Sequence, residues 1–149
     1  MVMLHLSHRL AEAIRVHGAE SYPHECCGAL LGRAQGDGGK RVEELQAIVN
    51  RRQDSPRNRF LVTAEDYLAA EKAARARSLE IVGWYHSHPD HPARPSDFDR
   101  EHAWPGYSYV IVAVADRQPG AITSWTLRDD RSQFDPETLI VAEASVSSR

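Results

Sequence analysis

The sequence predicts one mixed α/β domain, and three observations predict it. At 149 residues the chain is long enough to bury one real core and fits a single domain, 1–149. Its composition, 42% hydrophobic and 26% charged, is that of a folded chain and not of a disordered or collagen-like one. Short apolar runs of strand length are interleaved with two stretches of helical period, with no internal repeat and no linker.

The elements follow in order. Val2–Leu6 alternates and reads as a strand. Ser7 stands as N-cap before an amphipathic stretch from His8 to about Ala19, whose Leu10, Ala13, Ile14 and His17 share a helical face. Ser21-Tyr22-Pro23 ends it. Cys27–Leu31 is a compact apolar run of the kind a buried strand needs. The glycine-rich turn Gln35–Lys40 leads back into Val42–Val49, which predicts a hairpin. Asn50–Arg59 is polar and reads as a loop, and Phe60–Val62 as a brief strand. Thr63 is the expected cap of an alanine-rich helix from Ala64 to about Arg77, with Glu65 and Asp66 in its first turn. Glu80–Tyr85 is a strand running into His86. Asp90–Pro95 is a loop with two prolines, and Ser96 opens a short helix. Tyr107–Ala115 is the most apolar strand. A turn at Gln118-Pro119-Gly120 precedes the strand Ala121–Leu127, and Ser145–Arg149 reads as a frayed end. That makes about six strands and two or three helices.

Composition also excludes classes of function. The net charge of −3 comes with no basic stripe, so no broad nucleic-acid or membrane surface is expected. No stretch approaches the roughly 18 apolar residues of a membrane helix, and Met1–Leu6 lacks the charged start and apolar core of a signal peptide. The two cysteines, Cys26 and Cys27, are adjacent, where a disulfide would be strained. A reducing, cytoplasmic setting is the expectation.

The informative segment is His86-Ser87-His88-Pro89, followed by Ser96 and Asp99. In extended chain, residues two apart point to one side, so His86 and His88 present two imidazoles together. Pro89 favours extended backbone at His88. Asp99, in the first turn of the next helix, returns a carboxylate to the same point. Two histidines and one carboxylate leave a fourth position open, which is the pattern of catalytic rather than structural zinc. Such a metal lowers the pKa of its water from about 15.7 to about 7, and a carboxylate is still needed to move the proton. Glu25 is the candidate base. Ser96, one helical turn before Asp99, is the candidate donor to the developing oxyanion.

Each part has a plainer reading. His-x-His alone is weak, Ser-x-x-Asp starts helices without any metal, and a lone Glu25 is more often a surface residue. Only the combination is specific.

At these residues the sequence resembles the JAMM, or MPN-plus, metalloproteases. Their signature is a distant Glu, then His-Ser/Thr-His-Pro, seven residues, then Ser-x-x-Asp. Pro89–Pro95 supplies the seven, and Pro23-His24-Glu25-Cys26-Cys27-Gly28 is similar to the family's Pro-x-Glu-x-Cys-Gly segment. The likeness continues through Asn50, Pro56, Phe60 and Gly106-Tyr107-Ser108-Tyr109. It implies a cytidine-deaminase-like three-layer α/β fold, a central mixed sheet flanked by helices. It also implies zinc held by His86, His88 and Asp99, and hydrolysis of a peptide or isopeptide bond with Glu25 and Ser96 as the catalytic pair. The compact chain is most similar to the prokaryotic members of the CysO-cysteine peptidase type. These imply a ubiquitin-like sulfur carrier resembling MoaD or ThiS as substrate, its Gly-Gly tail laid extended beside the metal. A homodimer is compatible with the sequence.

Other residues and readings stay in play. Cys27 is read as a small buried hydrophobe in preference to a leaving-group pocket. His91 is read as a solvated loop residue, Arg51, Arg52, Arg57 and Arg59 as a basic loop, and Trp84 and Trp104 as packing around the site. The alternatives are a non-catalytic scaffold of the same fold and a structural zinc protein using Cys26, Cys27, His86 and His88. A zinc deaminase would need His-x-Glu and Pro-Cys-x-x-Cys, and neither is present.

Overall fold

A computed structural model describes residues 3–49 and 62–142. Along the chain run β1 (Met3–Ser7), α1 (His8–Ser21), β2 (Cys27–Ala34), β3 (Lys40–Ile48), α2 (Ala64–Ala76), β4 (Glu80–Pro89), α3 (Asp97–Glu101), β5 (Ser108–Ala115), β6 (Gln118–Leu127) and β7 (Phe134–Ala142). The expected caps are in place. The Ser7 side chain accepts from the Leu10 N–H, and Thr63 forms a capping box with Asp66. The loop expected at 50–59, with its four arginines, and residues 60–61 of the brief strand lie outside the described residues. Val62 is not in a strand.

The strands form one mixed sheet in the order β1-β3-β2-β4-β5-β6-β7, closed because β1 pairs in parallel with both β3 and β7. The resemblance implied a central sheet flanked by helices; the sheet is central and mixed, and it also closes on itself. The predicted hairpin is β2 with β3, antiparallel, and β4 lies between β2 and parallel β5. A strand in that position is covered on both faces, which explains why it is buried nearly end to end.

The helices take opposite faces. Leu10, Ala11 and Ile14 of α1 pack with Leu6, Leu30, Tyr85 and Val112. Ala70 and Ala74 of α2 pack with Cys27, Ala29, Leu31 and Trp84. Trp84 and Tyr85, adjacent in the chain, therefore serve different cores, as strand alternation requires. The register slips between Leu30 and Leu31 opposite β4, so that Ile81 and Trp84 share the α2 face although three residues apart.

Two expectations need correction. The turn before β6 is not Gln118-Pro119-Gly120. Asp116 and Arg117, at φ 49° and 69°, make it, and Gln118 already pairs with Ala115. The strand β7 was not expected at all. Its sequence FDPETLIVA carries a proline, and its one fully buried residue is Glu137. Its aliphatic residues form an unbroken run in which Leu139 packs half-buried on the α1 core while Ile140 and Val141 are exposed, so no hydrophobic alternation marks it.

Candidate active site

The site sits where the ends of β2, β4 and α3 meet. Cys27 of β2 pairs with His86 of β4. Just before that pair, the Cys26 N–H donates to Ser87 Oγ at 2.8 Å and the Ser87 N–H donates to Cys26 O at 3.2 Å. Ser87 is fully buried. It thereby fixes the Glu25 segment against the histidine strand while His86 and His88 face the other way. The sequence reading missed this role, because the partner is a backbone N–H sixty-one positions away. Gly28 belongs to the same joint: a Cβ there would run into the Tyr85 ring.

The three expected ligands converge. His86 Nε2 and His88 Nε2 are 3.2 Å apart, and Asp99 Oδ2 lies 3.2 Å from the first and 3.0 Å from the second. Zinc bonds of about 2.0–2.2 Å at a tetrahedral angle would place ligand atoms roughly 3.3–3.6 Å apart. The donor set thus fits one small cation with little adjustment, and these three residues are the group among the described residues able to hold a metal. The His88 ring is oriented for it. Its Nδ1 lies 2.8 Å from the Pro92 carbonyl oxygen, which can only accept. Nδ1 therefore carries a hydrogen, which leaves Nε2 as the ring atom turned toward the centre and available as the ligand.

Ser96 and Asp99 hold each other. Ser96 Oγ accepts from the Asp99 N–H at 3.0 Å, and the Ser96 N–H donates to Asp99 Oδ2 at 2.9 Å. The plain capping reading is therefore correct, and it fixes the carboxylate at the histidines. The Ser96 hydroxyl, accepting in the cap, still has its hydrogen to give.

The charges are mutually dependent. Burial alone would raise the Asp99 carboxyl, but His86, His88 and the Ser96 N–H hold it far below the usual range. Burial alone would lower His86; its attraction and hydrogen bond to Asp99, with Glu25 adding, push it up to about 9. Glu25 is only 6% exposed, and burial lifts it to about 7 against the pull of His86 and His88.

Two clefts meet at Glu25 and Phe98, which line both. The larger, about 740 Å³, is walled by Tyr67, Leu68, Trp84, Trp104, Tyr107 and Tyr109. The smaller, about 520 Å³, is lined by Pro89, His91, Pro92, Arg94 and Ser96. Cys27 is buried and also lines the larger cleft, its thiol pushed well up by burial. Cys26 faces the α1 core instead. The structural-zinc alternative therefore fails, since the two thiols lie on opposite faces of the sheet. His91 is exposed, as expected, but borders the smaller cleft. Trp84 packs between Tyr67 and Tyr107. Trp104 departs from the packing expectation: it is 65% exposed, with the Arg131 guanidinium over its ring.

A mixed α/β fold carrying His-x-His on a central strand and an aspartate on the following helix defines the JAMM/MPN class. The family described as prokaryotic homologs of the JAB domain matches residues 7–128, and the chain belongs to it. The chain is 36% identical over 92 residues to the desampylase of Haloferax volcanii, covering 61% of this chain and 63% of that one. It is 32% identical to a probable TtuB-protein conjugate cleaving protease of Thermus thermophilus, covering 76% and 72%. Among solved structures, a protein from Salinibacter ruber is 46% identical over 97% of this chain and 94% of its own, with a TM-score of 0.73. A JAB1/MPN domain protein from Archaeoglobus fulgidus shares the fold at 14% identity and a TM-score of 0.55, covering 94% and 99%.

Proposed function

We propose that this chain is a zinc-dependent peptidase or isopeptidase that hydrolyses the bond after the C-terminal tail of a ubiquitin-like, MoaD/ThiS-like sulfur carrier. The observation that carries the reading is the convergence of His86, His88 and Asp99 within ligand spacing beside the buried carboxylate of Glu25. The names of the Haloferax and Thermus relatives support cleavage of protein conjugates.

His86, His88 and Asp99 would hold the zinc, and Pro92 O and the Ser96 N–H keep two of them aimed. Bound zinc would supply Lewis acidity, polarising the scissile carbonyl and lowering the pKa of water from about 15.7 to about 7. Glu25 takes a proton from the attacking water and returns it to the departing amine nitrogen as the C–N bond breaks. Ser96 donates its hydroxyl hydrogen to the carbonyl oxygen as charge gathers there. The flanking clefts receive the two halves of the substrate, and the apolar walls of the larger exclude water from the acyl side.

The test is to load the protein with zinc and incubate it with a MoaD-type carrier ending Gly-Gly, either extended by one residue or joined to a lysine side chain, and weigh the products. Release of the carrier ending in Gly-Gly is expected from one or both. A fully zinc-loaded protein that leaves both intact would overturn the reading.

A further inference from the structure

We propose that Arg94 binds a free carboxylate on the amine side of the scissile bond, so that the site favours release of a single C-terminal residue over cleavage of a lysine side-chain amide. This rests on the hydrolytic reading of Glu25 given above.

The two clefts differ in chemistry. The larger has aromatic and apolar walls, and neither lysine nor arginine lines it among the described residues. Among the described residues, Arg94 is the one lysine or arginine lining the smaller cleft, which it shares with Glu25, His88 and Ser96. An amide cut at Glu25 must lay its acyl half in one cleft and its amine half in the other. An extended, uncharged Gly-Gly tail suits the larger and apolar one. The short cleft with the guanidinium is then left to the leaving group.

Arg94 is built into place. Ala93 before it is buried, and the Ala93 carbonyl accepts from Thr123 Oγ1 of β6 at 2.7 Å. The Pro92 carbonyl takes hydrogen bonds from His88 Nδ1 and from the Arg94 N–H, and Pro95 follows. The backbone that carries Arg94 is thus tied to a metal-ligand candidate on one side and to the sheet on the other. The side chain is exposed and forms no ion pair with any described residue.

A leaving residue that carries its own free carboxylate brings an anion into this cleft. Arg94 lines the cleft and offers that anion a positive charge and two parallel N–H donors. In an isopeptide the leaving lysine has its carboxyl in the main chain, so nothing there would pair with Arg94.

The experiment uses the zinc-loaded protein and a MoaD-type carrier ending Gly-Gly plus one alanine, made as the free acid and as the C-terminal carboxamide. Wild type should cleave the acid about 10- to 100-fold more efficiently than the amide, the usual range for losing a charged hydrogen-bonding partner. Arg94→Ala should bring the acid down to the level of the amide, and Arg94→Lys should keep part of the preference. Binding is read separately on the Glu25→Gln background, where acid should bind more tightly than amide and Arg94→Ala should erase the difference. Cleavage without acid preference would overturn the role of Arg94 alone. Acid-selective binding without cleavage would overturn the hydrolase reading and keep Arg94. Neither binding nor cleavage would overturn both.

Discussion

Two buried polar clusters share the strand β4, one near each end, and only one has the makings of a reaction centre. Near its start, the Lys40 ammonium donates to Val82 O, Gly106 O and Ser108 Oγ, with Ser124 and Glu137 buried on the neighbouring strands β6 and β7. Near its end stand His86, His88 and Asp99. The Lys40 cluster brings its own cation, which the surrounding oxygens already satisfy. The histidine cluster points three potential ligand atoms at one spot, and it borders two clefts. Burial and titratable groups are common to both; convergent ligand atoms next to open space are not. That contrast, more than any perturbed pKa, separates a site from a structural network.

The contrast is broken most directly at His88. Changing His88→Ala removes one of three ligands, and zinc affinity should fall by more than the roughly 10- to 100-fold typical of losing a ligand's supporting partner. Metal content by mass spectrometry after dialysis reads it. Unchanged occupancy would remove His88 from the metal set and reduce this cluster to a structural one. Glu25→Gln comes next: zinc should stay bound while hydrolysis drops about 10²- to 10⁴-fold. A variant that cleaves at the wild-type rate would show that another group moves the proton. Ser96→Ala should slow turnover about 10²- to 10³-fold if its hydroxyl faces the developing charge. It should also lower stability by about 1 kcal/mol through the lost cap. A melting shift with turnover intact would leave Ser96 as a cap only.

His86, His88, Ser96 and Asp99 were legible in the sequence because their arrangement is local, whereas Glu25, far from them along the chain, rested on the Pro-x-Glu-x-Cys-Gly likeness. A period of two brings His86 and His88 to one side, and a capping box one turn long fixes Asp99. The caps at Ser7 and Thr63 and the β2–β3 hairpin were legible for the same reason. What escaped depends on distant partners. Ser87 looks like a spacer until Cys26 is laid against it. Strand β7 has no alternating apolar pattern to announce it, and its place comes from parallel pairing with β1, Met3 opposite Thr138 through Ser7 opposite Ala142. The β5–β6 turn misled because Pro119-Gly120 is the stronger local signal, while the chain reverses at Asp116-Arg117 in left-handed backbone. Arg94 and the two clefts are visible only once the loop is folded back on His88.

The smallest effect tests the other side of the comparison. If the Lys40 cluster is purely structural, Lys40→Met should leave zinc content and turnover unchanged and cost about 1–3 kcal/mol for the carbonyls and hydroxyl that lose their donor. Its pH dependence gives a finer check. Burial lowers the Lys40 pKa from its ordinary 10.5, partly offset by Glu137 and Glu80. Between the folded value and 10.5 the unfolded chain holds a proton that the folded chain has released, so stability rises with pH in that window. Below the folded value both forms are protonated, and the burial cost is full and constant. The stability difference between wild type and Lys40→Met, followed by denaturant melts, should therefore be flat near neutrality and shift in favour of wild type as pH climbs toward 10.5. A difference that moves the opposite way would mean that the folded chain holds the Lys40 proton more tightly than the unfolded chain, and that the attraction of Glu137 and Glu80 outweighs burial.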